Sequence, residues 1–148
     1  MRTLGLSPVN RLAEFAPLVV RVIVGVIMVA HGWQKITQIG VGNFGGFLAQ
    51  LGVPLPTLMA YVVTFVELVA GILLILGLFS RLAALFLTID LVVAILLVKV
   101  NIGFIAPAGR GAGAELDLAL IAGFLAIFLA GPGRISLDHA LGIERGGG

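Results

Sequence analysis

The sequence predicts an all-α integral membrane protein built as a four-helix bundle. Of its 148 residues, 60% are hydrophobic and 11% are charged, whereas soluble domains average about 45–50% apolar and about 25% charged residues. A small water-soluble fold buries too little of its surface to hide so many apolar side chains. The chain also contains four separate apolar windows, each close to the about 20 residues that a helix needs to cross a bilayer.

The four windows place the membrane spans at residues 16–35, 57–78, 81–100 and 114–131. A cleaved signal peptide is a poor alternative for the first window, because Arg21 interrupts its apolar stretch and three further windows follow. The link between the second and third spans is so short that it predicts an antiparallel helical hairpin. Gly131-Pro132-Gly133 stops the fourth span. We predict a single transmembrane domain over residues 1–148.

A shorter apolar pattern separates the first two spans. Four apolar residues at helical spacing predict a short helix over residues 43–51 that lies on the membrane surface: Phe44, Phe47, Leu48 and Leu51. Asn43 is the expected N-cap, and Gly52 the expected stop. A flexible glycine-rich loop is the alternative.

An even number of spans places both termini on the side of the short hairpin link. That side carries five arginines: Arg2, Arg11, Arg81, Arg134 and Arg145. The opposite side carries three cationic residues: Lys35, Lys99 and Arg110. Because cytoplasmic segments are enriched in Lys and Arg, this bias predicts that both termini are cytoplasmic.

Ionisable groups inside a membrane are costly, and this makes them candidates for function. Glu67 and Asp90 each lie about 15 Å from the ends of their helices, near the middle of the bilayer. Arg21 enters its helix from the cytoplasmic side, and its long side chain could reach both acids. We therefore predict an inner cluster of Arg21, Glu67 and Asp90; a purely structural clamp between helices is the alternative.

A second, outer cluster is predicted nearer the opposite membrane surface, from four ionisable residues at similar depth: His31, Lys35, Glu115 and Asp117. Separate charges at headgroup level are the alternative explanation. Arg81 and Lys99 are each nine residues from Asp90, which places them on the opposite helix face if the helix is regular. They are predicted to extend toward the interface instead.

Glycines accompany the charged stripes of the first two spans. Gly25 and Gly32 share a helix face with Arg21 and Lys35, and Gly71 follows Glu67 by one turn. Such glycines allow the close approach of another helix or of a ligand.

The sequence also argues against several kinds of site. It contains no cysteine, and His31 is the only histidine in a predicted span, so neither a thiolate centre nor a haem bound by two histidines is expected. We predict no metal site. The net charge of +2 gives no reason to expect a nucleic-acid partner.

The ordered set of charges and glycines resembles the DoxX family of small bacterial membrane proteins. The residues that carry this resemblance extend from about residue 16 to residue 138: Arg21, Gly25, His31-Gly32, Lys35, Glu67, Gly71, Gly77, Arg81, Glu115, Gly131-Pro132-Gly133 and Ser136-Leu137-Asp138. The resemblance implies a multi-pass protein of the bacterial inner membrane. The family takes its name from a membrane subunit of a thiosulfate:quinone oxidoreductase, and other members are associated with membrane redox complexes.

Three functions remain open at this point. The first is a membrane subunit of a redox complex that interacts with quinone, since the side chains alone offer no redox centre and a quinone or a partner subunit must carry the electrons. The second is a non-enzymatic membrane anchor or assembly factor for a peripheral partner. The third is a small proton-coupled transporter, which would have to form an oligomer.

Overall fold

The computed structural model describes residues 12–144, and this part of the chain is helical and contains no strand. The predicted all-α class is therefore confirmed. The helices are α1 (Ala16–Gln34), α2 (Val41–Gln50), α3 (Pro56–Leu76), α4 (Ser80–Ala94), α5 (Ala114–Ala130) and the short α6 (Leu137–Ala140). Three of the arginines used to predict the orientation lie outside the described residues: Arg2, Arg11 and Arg145.

Two of the long helices continue through a π-helical turn. α1 is extended by the turn Lys35–Ile39, and α4 by the turn Ile95–Lys99 and a last α-turn. In the described part of the chain, three helices are long and apolar enough to cross a membrane: the extended α1, α3 and the extended α4. They are Ala13–Ile39, Pro56–Leu76 and Ser80–Ile102, with 27, 21 and 23 residues.

The fourth predicted span coincides with α5. This helix has 17 residues, fewer than the about 20 that span a typical hydrocarbon core, so the fourth span stays a prediction. In the structure α5 packs against α4 and α1, α1 packs against α3, and α3 packs against α4.

An apolar core fills the space between these helices, and apolar side chains also cover their outer faces. The core consists of Val24, Met28, Ala70, Leu74, Ala83, Ala84, Leu87, Leu91, Leu120, Ile121, Phe124 and Ile127. On the outer faces, Ile23, Phe65 and Ile89 are each more than half exposed. Helices that are apolar all round require an apolar surrounding, which agrees with their placement in a membrane.

The helix between α1 and α3 is present, but its predicted N-cap is wrong. α2 begins at Val41, directly after Gly40, whose φ of 81° breaks the preceding helix. The Asn43 side chain lies within the helix and donates a hydrogen bond to the Ile39 carbonyl, 2.8 Å away. A glycine with positive φ therefore sets the start of this helix. Gly52, with a φ of 75°, follows its end as predicted.

The two ends of the helix packing differ in construction. One, the hairpin end, carries the α3–α4 turn at residues 77–79. The other, the loop end, carries α2 and the loop of residues 103–113 between α4 and α5. At the hairpin end, Asp138 accepts hydrogen bonds from the Phe79 N–H at 2.7 Å and the Ser80 N–H at 2.9 Å.

Residues 131–144, which we call the C-terminal segment, lie against the hairpin end. The two hydrogen bonds to Asp138 are part of this contact. In addition, Arg81 donates hydrogen bonds to Glu144 and to the Phe128 carbonyl at the end of α5. Arg81 was expected to extend to the interface. In the structure its side chain is 42% exposed, and its guanidinium lies where the last carbonyls of α5 need donors.

Candidate functional site

A cavity of about 300 Å³ lies at the loop end of the described residues. Residues of α1, α3, α4 and α5 form its walls, and α2 contributes Phe44, Phe47 and Leu48. Most of the lining is apolar, but six ionisable side chains face it: His31, Lys35, Glu67, Asp90, Lys99 and Asp117. An apolar cavity with a few convergent polar groups is the usual form of a small-ligand site.

A buried ion pair connects the first and third helices at this cavity. The Lys35 Nζ lies 2.5 Å from the Glu67 Oε2, and their side chains are 12% and 5% exposed. The same ammonium lies 5.3 Å from the centre of the Phe44 ring, within the range of a cation–π contact. Lys35 therefore connects a carboxylate of α3 to an aromatic ring of α2.

A second lysine and acid face each other at the loop between α4 and α5. The Lys99 Nζ donates a hydrogen bond to the Ala112 carbonyl at 2.6 Å and lies 3.9 Å from the Asp117 Oδ2. Within residues 12–144, that buried oxygen has no hydrogen-bond partner. Lys99 thus fastens the loop to α4 and gives Asp117 a nearby positive charge.

Asp90 and His31 complete the polar part of the cavity. Asp90 lies within electrostatic range of Glu67, Lys35 and Asp117. Among the described residues, no side chain forms an ion pair with it. His31 has one ring nitrogen, Nδ1, 2.8 Å from the Ile27 carbonyl, which leaves Nε2 as its other polar atom.

The π-helical turn in α4 explains why the position of Lys99 was mispredicted. A regular helix would place Lys99 on the face opposite Asp90. A π turn accommodates one additional residue, and one residue corresponds to about 100° of helix rotation. The turn Ile95–Lys99 therefore rotates Lys99 toward the cavity that Asp90 also lines. π turns are frequent at functional sites, and the second one, Lys35–Ile39, begins at the other cavity lysine.

The structure separates Arg21 from the two acids with which it was grouped. Arg21 is fully buried at the hairpin end, where it donates a hydrogen bond to the Ile135 carbonyl. Helical side chains tilt toward the N-terminus of their own helix. That tilt directs Arg21 away from Glu67, and it directs Lys35, further along the same stripe, toward Glu67. The partner of Glu67 is consequently Lys35.

The buried Arg21 instead belongs to the contacts of the C-terminal segment. Asp138 interacts favourably with its positive charge, and a Cβ added to Gly77 would lie 1.5 Å from the Arg21 Nη1. Within residues 12–144, its Nε and Nη1 have no hydrogen-bond partner. Gly77 is thus required both by its φ of 68° and by the space that the guanidinium fills.

Of the predicted outer cluster, the structure brings three residues to the cavity: His31, Lys35 and Asp117. Glu115 does not line it. One carboxylate oxygen of Glu115 accepts a hydrogen bond from the Gly113 N–H at 3.3 Å, and Glu115 and Asp117 both lie in the first turn of α5. There they interact favourably with the positive end of the helix dipole.

The three glycines singled out in the sequence lie where α1 crosses α3. A Cβ on Gly25 would come within 2.8 Å of the Gly71 carbonyl oxygen, and one on Gly71 within 3.0 Å of the Gly25 carbonyl oxygen. A Cβ on Gly32 would meet the Leu68 side chain at 2.7 Å. None of the three lines the cavity; the close approach that they permit is between two helices.

Several features of this site were missed by the sequence patterns. Lys99 was excluded because a regular helix was assumed, and the sequence pattern gave no signal for the π turn. Phe44 was identified as part of an apolar stripe, but not as a contact of Lys35. The tilt of helical side chains is a general property, and it would have favoured Lys35 over Arg21 as the partner of Glu67.

The cavity combines hydrogen-bond donors, acceptors and an apolar wall. Each lysine ammonium has three N–H donors, and one contact with a carboxylate or carbonyl leaves others for a ligand. Three carboxyl groups, two ammonium groups and one imidazole face the cavity, so groups that can give or accept a proton lie together there. Among the described residues, no group of His and acidic side chains has the arrangement of a metal site.

Comparisons with known proteins agree in the kind of relative they find. Residues 16–100 match the model of the DoxX family. The chain is 37% identical over 141 residues to an uncharacterized membrane protein of Mycobacterium tuberculosis. This match covers 87% of the chain and 84% of that relative.

Two further relatives carry more descriptive names. One, from Bacillus subtilis, is named "Putative oxidoreductase CatD" and is 32% identical over 87% of this chain and 89% of its own length. The other, the inner membrane protein YphA of Escherichia coli, is 31% identical over 82% of this chain and 87% of its own length. No solved structure matches the chain significantly.

Proposed function

The chain belongs to the DoxX family of membrane proteins, and from this premise we propose that it is the membrane subunit of a redox complex and binds a quinone headgroup in its cavity. The observation that carries the proposal is the apolar-walled cavity faced by two lysines, three acids and a histidine. The name of the Bacillus subtilis relative supports an oxidoreductase role.

The lining residues fit the chemistry of a quinone headgroup. Its two carbonyl oxygens are hydrogen-bond acceptors, and the Lys35 and Lys99 ammonium groups are donors that face the cavity from two different helices. Asp90 and Asp117 are acids near enough to exchange a proton with a bound group. A bound quinone supplies the electron-carrying group that the chain's own side chains lack.

The proposal is tested by quinone content and affinity. We expect gently purified wild-type protein to retain quinone in its lipid extract, quantified by mass spectrometry. Asp90→Asn should lower the affinity for an added quinone about tenfold, equivalent to ~1.4 kcal/mol, because it removes the acidic proton donor and acceptor. The matched control is Glu14→Gln, which makes the same carboxyl-to-amide change at a half-exposed position far from the cavity.

Either of two results would contradict this function. Wild-type protein that neither retains nor binds quinone would favour the anchor or assembly factor instead. Equal losses of affinity in Asp90→Asn and Glu14→Gln would place any quinone site outside the cavity.

The proposal includes a topology. We propose that residues 1–148 form one domain in the bacterial inner membrane, that α5 is its fourth span, that α2 lies at the membrane surface, and that both termini are cytoplasmic. The arginines at the hairpin end support this orientation.

Reporter fusions test the topology. A reporter at Gly148 should report the cytoplasm, and one inserted at Gly109 should report the opposite side. Gly109 is a suitable position, because nothing lies within 4 Å of a Cβ added there. If both fusions report the same side of the membrane, α5 does not cross it. If Gly109 reports the cytoplasm and Gly148 reports the other side, the orientation is inverted.

A further inference from the structure

The solvent-exposed part of the cavity lining is apolar and lies on α2 and α4. Of all the lining residues, three have a solvent-exposed side chain, and all three are apolar: Phe47, Val93 and Leu97, which are 40%, 45% and 36% exposed. One lies on α2 and two lie along α4. The charged lining residues are all half-buried or buried.

Polar contacts cross the cavity wall on the side of the α4–α5 loop and on the side of α2. On the side of the loop, the Lys99 ammonium bonds to the Ala112 carbonyl and faces Asp117. On the side of α2, the Lys35 ammonium lies under the Phe44 ring and bonds to Glu67. Polar contacts therefore connect the elements around the cavity on these two sides.

The packing of α2 leaves the remaining side open. α2 packs against α3 and against the π turn of α1, whereas its contacts with α4 are few. On α4, the apolar residues beside Val93 and Leu97 are also exposed: Ile89, Val92 and Leu96. The gap between α2 and α4 is thus continuous with an apolar outer face of a membrane-spanning helix.

From these contacts we propose that the cavity opens sideways into the bilayer through a slot between α2 and α4, and that the slot holds the hydrocarbon tail of the ligand. This inference rests on the proposed function and adds to it the class of substrate: a membrane-resident quinone with a long tail, taken up from lipid. About 300 Å³ is the lower limit of cavities that enclose drug-sized ligands, so a long tail must leave the cavity.

The depth of the site agrees with this geometry. Asp90 and Leu97 are seven residues apart on α4, which corresponds to about 10 Å along the helix. Asp90 therefore lies at the inner end of the cavity, and Leu97 of the apolar rim lies nearer the loop end. A ring held near Asp90 would direct its tail past Val93 and Leu97 to the outer face.

The test compares two ligands that share one ring. A benzoquinone without a tail and the same benzoquinone with a decyl tail are titrated into the full chain in mild detergent by calorimetry. Leu97→Trp should fill the slot and weaken binding of the tailed quinone about tenfold or more, while the tailless quinone changes less than about twofold. Leu85→Trp is the matched control: it makes the same substitution on the same helix at a similarly exposed position, 39% against 36%, twelve residues from Leu97 and outside the lining, and should affect neither ligand.

Val93→Trp provides a second blocking variant if Leu97→Trp proves unstable in thermal unfolding. Equal weakening of both ligands in the blocking variants, or no weakening of the tailed one, would overturn the slot while leaving the cavity as the quinone site. A wild-type protein that binds neither ligand would overturn the proposed function and, with it, the slot.

Discussion

Replacing Lys35 with methionine is expected to lower the free energy of unfolding by about 3–5 kcal/mol, the cost of breaking a buried ion pair by removing one partner. Glu67 is 4% exposed, and its Oε2 has the Lys35 ammonium at 2.5 Å. Methionine fills a similar volume without a charge, so the variant leaves a carboxylate in an apolar surrounding with no donor. The loss is measured by reversible unfolding in SDS, followed by circular dichroism.

A double variant separates the ion pair from the packing of the lysine stem. Lys35→Met combined with Glu67→Leu removes both charges, and replacing a buried pair with apolar residues is often neutral or stabilising. It should therefore recover most of the lost stability. Arg110→Met is the control for removing a cation, because Arg110 is exposed in the loop; it should change stability by less than about 0.5 kcal/mol. A Lys35→Met protein as stable as the wild type would show that the pair contributes nothing.

Asp138→Ala is the second substitution with a large expected effect. The Asp138 side chain is 1% exposed and accepts hydrogen bonds from the N–H groups of Phe79 and Ser80. Hydrogen bonds to a charged group contribute about 1.5–3 kcal/mol each, and the buried Arg21 loses its favourable electrostatic interaction with Asp138. We expect a loss of about 3 kcal/mol or more in unfolding free energy.

The conservative variant distinguishes the hydrogen bonds from the charge. Asp138→Asn keeps one acceptor oxygen and removes the charge beside Arg21, so its loss should lie between those of the wild type and Asp138→Ala. Both variants are compared in the same SDS titration with Arg110→Met as the control, because Arg110 is exposed in the loop at the other end of the protein. If Asp138→Ala unfolds at the wild-type SDS concentration, the C-terminal segment does not stabilise the α3–α4 turn.

The fold was largely predictable because the signals that define it are local. Apolar windows predicted α1, α3, α4 and α5 within a few residues, and Gly131, with a φ of 89°, ends α5 where the glycine–proline cluster indicated. The start of α2 was predicted from Asn43 as an N-cap. In the structure the start is set by Gly40, whose positive φ breaks the preceding helix. The π turns were missed because nothing in the hydrophobic pattern distinguishes five residues of a π turn from five of an α-helix.

The site was predicted less well, because its contacts depend on the direction of side chains rather than on their depth. Depth alone allowed Arg21 to reach Glu67, and the tilt of helical side chains excluded it. A regular helix would have placed Lys99 on the face opposite Asp90. The π turn changes the direction of the Lys99 side chain, and Lys99 lines the cavity. In the sequence, Asp138 was noted only among the residues that carry the family resemblance. Its bonds to Phe79 and Ser80 join residues that are distant in sequence, and no periodic pattern reports such a contact.

The C-terminal segment has a consequence for the order in which the protein is assembled during synthesis. The ribosome releases residues 131–144 after all the long helices, yet these residues supply the Ile135 carbonyl that binds Arg21 and the carboxylate that caps α4. Until then, the first helix carries an uncompensated arginine, and the hairpin carries unbonded N–H groups. A nascent chain halted after Gly131 would thus contain the sequence of every long helix and still lack the hydrogen bonds that join the hairpin end.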